Sequence, residues 1–179
     1  MAQHFTGRIL ALDLATSTGW AHGRPGEKPK WGVETFQGER AKAYRALRSW
    51  LNEWIVDKRV DLVTFESSAT QFMHGKTRIE TIKRLIGLCE HIEELCYGRV
   101  ECREAMVSQV RVHFIGQNLP RAEAKVETIR QCKELGWSTD NDNEADALAL
   151  WSYQVCCLRP DIAVRHTPMF AKRRRMESF

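Results

Sequence analysis

Three acidic residues stand where apolar sequence ends or a helix begins. Asp13 closes the apolar run RILALD, Glu66 closes the run DLVTFE, and Asp146 lies in the segment DNEADALAL at 142–150. By the alternation of side chains along a strand, Asp13 points to the same side as Ile9 and Ala11. A buried ionised carboxylate is costly without a partner, so each acid needs a cation or a hydrogen-bond donor.

The third acid also points inward. Asp146 shares a helical face with the apolar Ala149 and Leu150. Three inward carboxylates with no matching inward Lys or Arg suggest a divalent cation. Oxygen ligands without His or Cys favour Mg²⁺, with Mn²⁺ as its substitute, over zinc.

Each acid alone has an ordinary explanation. An acid after a strand is often a turn former, and an Asp near a helix start is often an N-cap. The three together favour function, because ligands in an open α/β sheet bind beyond the carboxyl ends of the central strands.

The elements that would position these acids can be read from hydrophobic periodicity. Predicted strands span 8–13, 20–22, 31–36, 61–66 and 100–106, and predicted helices span 39–59, 77–97, 108–115, 121–135 and 143–158. In the first two helices the expected buried stripes are Ala43, Ala46, Leu47, Trp50, Leu51, Trp54 and Ile55, then Ile79, Ile82, Leu85, Ile86, Cys89, Ile92 and Cys96. The order predicts an α/β fold with a five-stranded mixed sheet flanked by helices.

Length and charge favour one domain with a basic end. The chain has 179 residues with 27 Lys and Arg against 23 Asp and Glu. Residues 159–179 hold 6 basic and 2 acidic residues, which leaves 21 of each in residues 1–158. We expect a domain over 1–158 and a basic C-terminal tail over 159–179.

The remaining composition points to an intracellular, cytoplasmic protein. The sequence contains 6 cysteines but no Cys-x-x-Cys pair and no secretory segment, so we expect core thiols rather than disulfides or a zinc site. No apolar stretch approaches the roughly 20 residues of a membrane helix. We expect no membrane partner and no organic cofactor.

Three segments resemble the motifs of RuvC-type Holliday junction resolvases, which have the RNase H-like fold. Residues 9–21 (ILALDLATSTGWA) resemble the first motif, 63–66 (VTFE) the second and 143–150 (NEADALAL) the third. Between the last two, residues 110–116 (VRVHFIG) followed by Lys125 resemble the helical segment that carries a lysine near the site. The resemblance covers residues 8–158, with the motifs in the family's order.

The resemblance implies a homodimeric endonuclease that cuts branched DNA by two-metal-ion hydrolysis. Asp13, Glu66 and Asp146 are then catalytic metal ligands, and Lys125 is a catalytic residue. The sequence departs from the family at the fourth acid, where Asn143 stands three residues before Asp146. We expect Asp142, four residues before Asp146, to be the fourth ligand because it shares the helical face; Asn143, through its amide oxygen, is the alternative.

Basic residues around the acids are expected to bind DNA phosphates. The candidates are Lys76, Arg78, Lys83, Arg84, Arg111 and Lys125, followed by Lys172, Arg173, Arg174 and Arg175 in the tail. Lys83 and Arg84 equally suit the solvated side of a helix, and the tail equally suits a disordered end. Phe72 and Met73 suit either a wedge at a junction or the core.

Several alternatives share the fold. A YqgF-like RNA-processing nuclease would use the same acids and metal, and a non-catalytic nucleic-acid-binding relative would explain Asn143. Actin-like ATPases need two such domains, which exceeds this chain. Transposases and integrases typically have Asp as the second acid and Glu as the last, the reverse of this order. For the dimer, the candidate surfaces are the exposed side of the second helix and the helix at 121–135.

Overall fold

A mixed five-stranded sheet forms the centre of the molecule, as predicted. The computed structural model describes residues 4–67 and 78–162. The strands are β1 (Ile9–Asp13), β2 (Ser17–Gly23), β3 (Lys30–Thr35), β4 (Leu62–Glu66) and β5 (Glu101–Ala105). Their order in the sheet is β3-β2-β1-β4-β5. The fold is therefore α/β, with β1 in the middle.

Strand β1 is paired antiparallel on one side and parallel on the other. Its antiparallel ladder with β2 runs from Ile9 opposite Gly23 to Asp13 opposite Gly19. The parallel ladder joins β1 to β4, and β4 pairs with β5 in the same direction. The carboxyl ends of β1, β4 and β5 therefore share one edge of the sheet.

Strand β2 is longer than predicted. The sequence predicted a strand over 20–22, whereas the strand begins at Ser17 and ends at Gly23. Thr18 makes this possible, because its Oγ1 donates to the Ala15 carbonyl at 2.8 Å and accepts from the Ala15 N–H at 3.3 Å. The side chain closes the turn in fewer residues than expected.

In the described ranges, five helices cover the two faces of the sheet. They are α1 (Arg40–Val56), α2 (Ile79–Cys96), α3 (Val107–Ile115), α4 (Arg121–Glu134) and α5 (Asp142–Leu158). Leu10 and Leu12 of β1 are buried in one core with α1 and α2, while Ile9 and Ala11 are buried in the other with α3, α4 and α5. The alternation along β1 thus divides the interior into two cores.

Parts of the predicted buried stripes were wrong. Ala46 of α1 is exposed, and in α2 Ile79 and Ile86 have 61% and 37% exposure. The buried positions of α2 are Leu85, Gly87, Leu88, Ile92, Leu95 and Cys96. The isoleucines belong to a neighbouring face of the helix, and the seven-residue spacing that placed them inward does not identify which face meets the sheet.

The cysteines are all free thiols, as the sequence predicted. No disulfide links the six cysteines; Cys96 and Cys132 are buried as expected of core thiols, but Cys157 is exposed. None of the helices in the described ranges is long and apolar enough to span a bilayer. Helix α5 ends at Leu158, and in the short described part of the tail Arg159 pairs with Asp161 at 2.7 Å.

Candidate active site

Two of the three acids end neighbouring strands on the same face of the sheet. Asp13 is the last residue of β1 and Glu66 the last of β4. Asp13 points to the same face of the sheet as Ile9 and Ala11, and Glu66 points to the same face as Leu62. Ile9, Ala11 and Leu62 all belong to the core beneath α5. Adjacent strands lie roughly 4.8 Å apart. The sheet therefore delivers both carboxyl groups beneath the same helix.

Helix α5 delivers the third acid. Asn141 caps its start by accepting hydrogen bonds from the N–H groups of Asn143 (3.0 Å) and Glu144 (3.3 Å). The same first turn lies directly against β2: a Cβ added to Gly19 would stand 1.9 Å from the Asn143 carbonyl oxygen. Since Gly19 is the register partner of Asp13, this contact places the start of α5 beside the end of β1.

The charges of these acids act strongly on one another. Burial, then the negative charges of Asp146 and Asp142, raise the pKa of Asp13 to about 7, against opposing effects of Lys125 and Arg121. Burial raises the pKa of Asp146 to about 6, although nearby cations oppose the shift. Burial, then the charges of Asp13 and Asp146, hold the pKa of Glu66 well above its ordinary value. Burial is the largest cause in all three cases, so a negative charge on any of these carboxyl groups is unfavourable without a cation.

Asp142 behaves differently from the other three. It forms an ion pair with Lys125 of α4, and this hydrogen bond is the main reason that its pKa lies below the ordinary value. The charge of Asp142 nevertheless raises the pKa values of Asp13 and Asp146. Asp142 and Lys125, both predicted site residues, therefore lie at the site, where they partly neutralise each other.

Arginines approach the acids from two helices. The charge of Arg111, on α3, lowers the pKa values of Glu66 and Asp146, and that of Arg121, the first residue of α4, lowers those of Asp13 and Asp146. Arg111 was expected near the site from the sequence, whereas Arg121 was missed. Its position four residues before Lys125, on the same helical face, was the sequence feature that indicated it.

The other predicted DNA contacts lie elsewhere or outside the described residues. Arg84 donates to the backbone carbonyls of Phe36 and Gly38, and Lys83 pairs with Glu80 at 3.5 Å. Arg78 is the N-cap residue of α2. None of these three is among the charges that shift the pKa values of the acids. The predicted residues outside the described ranges are Lys76, Phe72, Met73, Lys172, Arg173, Arg174 and Arg175.

The donor set fits a hard divalent cation by its chemistry. Within residues 4–67 and 78–162, no three His, Cys, Asp or Glu side chains are arranged closely enough to hold a metal ion as they stand. The cluster nevertheless offers only carboxylate oxygens, the ligand type of Mg²⁺ and Mn²⁺. A cation would offset both the burial and the repulsion that raise the three pKa values. Asn143 lies beside them in the same turn of α5, and its carbonyl packs on Gly19.

The fold is similar to that of three solved Holliday junction resolvases. The structure superposes on Thermus thermophilus RuvC with a TM-score of 0.59 and 13% identity, covering 86% of this chain and 95% of that chain. It superposes on the yeast mitochondrial Holliday junction resolvase with a TM-score of 0.61 and 14% identity, covering 95% and 85%. A fowlpox virus resolvase, solved with Holliday junction DNA, gives a TM-score of 0.52 and 13% identity, covering 85% and 99%.

No protein-family model matches the chain, and no curated protein matches it in sequence. At 13–14% identity, these structural matches establish the fold. The chemistry has to be argued from the site itself.

Proposed function

We propose that this protein is a divalent-metal-dependent endonuclease that cuts branched DNA, with the four-way junction as its substrate class. The observation that carries the proposal is the placement of Asp13 and Glu66 at the carboxyl ends of two neighbouring parallel strands, on the face covered by the helix that carries Asp146. The fold supports it, because the T. thermophilus and fowlpox proteins were solved with Holliday junction DNA.

The acids would hold the cation, which we take to be Mg²⁺ with Mn²⁺ as its substitute. Asp13, Glu66 and Asp146 are the principal ligands, with Asp142 as the fourth. When bound, a pair of such ions activates the attacking water and stabilises the leaving oxygen in phosphodiester hydrolysis. Asn143 would contribute at most its neutral amide oxygen, so Asp142 is the better fourth ligand.

The chain's own cations make the site accessible to DNA. The acids alone would repel the phosphate backbone, and Lys125, Arg111 and Arg121 reduce this negative field at the site. Lys125 also has a second role, because its pairing with Asp142 holds that carboxylate in its charged form, ready to act as a ligand. Basic groups of the tail, Lys172 to Arg175, would add sequence-independent affinity.

A twofold dimer is the assembly that suits this substrate, because a four-way junction is cut symmetrically in two strands. The proposed surface is the outer side of α2, where Ile79 and Ile86 lie two turns apart and are exposed, and where Tyr97 follows at the helix end with 89% exposure. The occupant is a second copy of this chain. Helix α4, the other candidate, exposes Val126 as its one large apolar side chain.

The test is cleavage of a labelled synthetic four-way junction, compared with linear duplex and single-stranded RNA of the same sequences, in Mg²⁺. The proposal predicts paired, symmetric nicks in the junction alone. Cutting of the RNA instead would replace it with an RNA-processing function. Junction binding without any cleavage would favour a non-catalytic relative.

A further inference from the structure

Two partly exposed tryptophans lie on either side of a buried one near the edge of the sheet. The buried Trp54 of α1 has Trp20 of β2 and Trp50 of α1 as neighbours, at ring-centroid distances of 5.1 and 5.6 Å. Trp20 and Trp50 are only half-buried, so each indole keeps part of its surface in solvent. A Cβ added to Gly32 of β3 would stand 2.8 Å from the Trp20 ring. The Trp20 indole therefore lies across β3, which is the edge strand of the sheet.

Three cations surround the same rings. Lys58, two residues after the end of α1, places its Nζ 3.6 Å from the centre of the Trp54 ring. The Arg8 guanidinium donates to the Lys58 carbonyl at 3.2 Å. Lys30 is the register partner of His22, whose ring centre is 4.9 Å from that of Trp54. Burial, then the charges of these three cations, lower the pKa of His22 to about 4, so the cations converge on one imidazole.

Within the described ranges, these three cations have no carboxylate partner. None of the ion pairs of residues 4–67 and 78–162 includes the side chain of Arg8, Lys30 or Lys58. Asp61 is close in space, but its carboxylate accepts from the backbone N–H of Arg8 at 2.6 Å. Lys30 and Lys58 are exposed. Like charges that converge without a counter-ion repel one another, so a bound polyanion would stabilise this cluster.

The indoles and the cations form one surface that is separate from the acids. We call it the indole-cation surface, and its members are Trp20, Trp50, Arg8, Lys30 and Lys58. Trp20 pairs with Leu12, which belongs to the core beneath α1 and α2. Asp13 points to the opposite face of the sheet, and Arg8 lies beyond the other end of β1. The indole-cation surface and the acidic site are therefore on opposite faces of the sheet.

We propose that the indole-cation surface is a binding site for single-stranded nucleic acid, with bases stacked on Trp20 and Trp50 and phosphates paired with the cations. Indoles stack on any unpaired base, and basic groups beside them follow the backbone. A duplex fits less well, because its base faces are already stacked on one another. An acidic peptide would pair with the cations but would leave the indoles without a stacking partner. The site is independent of the acidic cluster and adds a second mode of nucleic-acid binding to the proposed nuclease function.

The test is fluorescence anisotropy of a labelled oligothymidylate of about 12 nucleotides, titrated with the full-length protein in EDTA. Two further probes of the same charge are an abasic strand, which keeps the phosphates but lacks the bases, and polyglutamate. Wild type should bind the oligothymidylate roughly tenfold or more tighter than either of them. Trp50→Leu keeps an apolar side chain against Trp54 but removes the flat ring, so it should lose most of this preference.

Charge variants test the cations without altering the core. The double variant Lys30→Glu with Lys58→Glu, at two exposed positions, should weaken oligothymidylate binding roughly tenfold or more. The matched control is Arg48→Glu with Arg103→Glu, which makes the same change in net charge at two arginines that pair with glutamates. The control should bind within about twofold of wild type. Thermal unfolding of both double variants checks that they fold.

Three results would overturn the inference. Equal wild-type affinity for the oligothymidylate and the abasic strand would show that no base stacks there. Equal affinity for polyglutamate would show a surface that attracts any polyanion. The inference also fails if the lysine double variant binds the oligothymidylate as tightly as the arginine control.

Junction cleavage separates this inference from the proposed function. The lysine double variant should cut a four-way junction in Mg²⁺ within about twofold of the wild-type rate, because its positions are remote from the acids. A larger loss would show that the surface belongs to the cleavage site, which contradicts the inference. If wild type cuts no junction but binds the single strand as described, the nuclease proposal fails and this site stands.

Discussion

Gly19 and Asn143 are in direct backbone contact, and no larger residue than glycine fits at position 19. A Cβ there would lie 1.9 Å from the carbonyl oxygen of Asn143 and 2.3 Å from its carbonyl carbon. Gly19 is the register partner of Asp13, and Asn143 precedes Asp146 by less than one helical turn. The hairpin and the helix that carry two of the acids are therefore held at a fixed separation by this contact.

Replacing Gly19 with Ala should separate α5 from β2 and so move Asp146 away from Asp13. The clash is with backbone, which cannot rotate aside, so we expect a loss of about 1 to 3 kcal/mol in unfolding free energy. The rate of junction cleavage should fall by more than the loss of stability accounts for. Denaturant titration and single-turnover cleavage measure the two effects.

The matched control is Gly23→Ala in the same strand. Its Cβ would meet Pro29 at 3.2 Å, and Gly23 pairs with Ile9, at the opposite end of β1 from Asp13. This variant should cleave at nearly the wild-type rate. Equal activity of the two glycine variants would show that the Gly19 contact does not position the site.

Asp13→Asn should make the metal-free protein more stable at alkaline pH. The pKa of Asp13 is about 7 in the folded protein, against 3.8 for an ordinary Asp. Between these values the folded state binds more protons than the unfolded state, so the wild-type stability falls as pH rises through this window. The variant lacks this loss. The unfolding free energy of the variant should exceed that of wild type by nearly zero at pH 4 and by about 1 to 4 kcal/mol above pH 7.

The measurement is the unfolding free energy of both proteins across this pH range in EDTA. Taking the difference between the two cancels the contributions of groups on which Asp13 does not act, including His22 and His113, whose pKa values burial lowers to about 4. An advantage that is constant with pH would contradict the placement of Asp13 among buried like charges.

Mg²⁺ should stabilise the folded wild type by binding to the acids. At a concentration about 100 times the dissociation constant the gain is about 2.7 kcal/mol, and it should shrink below pH 6 as the carboxyl groups take up protons. Asp146→Asn should lose most of this response in thermal unfolding. Glu144→Gln is the control, since Glu144 is in the same first turn but accepts a hydrogen bond from Thr139 at 2.5 Å. An equal response in both variants would place the metal elsewhere.

Ile86→Glu should prevent dimer formation if the outer side of α2 is the dimer surface. A charge placed there would be buried without a partner on association. Light scattering of the eluted protein should give a monomer for this variant and a dimer for wild type. Val126→Glu, on α4, should remain a dimer; the reverse result would assign the interface to α4.

Much of the fold follows from local periodicity in the sequence. The ends of β1 and β4, and with them Asp13 and Glu66, are marked by apolar runs that stop at an acid. The buried face of α2 was harder to predict, because Ile79 and Ile86 fit an apolar stripe that the neighbouring elements do not cover. Which stripe is buried depends on how α1 and α2 pack, and this is a tertiary relationship that spacing does not contain.

The sequence predicted acids that the structure places near one another, but it did not predict all of the cations beside them. Asp13, Glu66 and Asp146 are brought together, whereas Arg84 is engaged by the backbone of the segment before α1. Arg121 was missed because its neighbours in sequence are solvent-exposed and its relation to the acids depends on how α4 packs beside α5. The long-range contact of Gly19 with Asn143 has no local pattern in the sequence.

The most direct test of the central claim compares Asp146→Asn with Glu144→Gln and wild type on a labelled four-way junction, in Mg²⁺ and then in EDTA. We predict that wild type and Glu144→Gln make paired nicks in Mg²⁺, and that Asp146→Asn loses cleavage by a factor of about 100 or more while still binding the junction. EDTA should abolish cleavage by all three proteins. Cleavage that survives both EDTA and the Asp146→Asn substitution would contradict the assignment of the acidic cluster as a metal-dependent nuclease site.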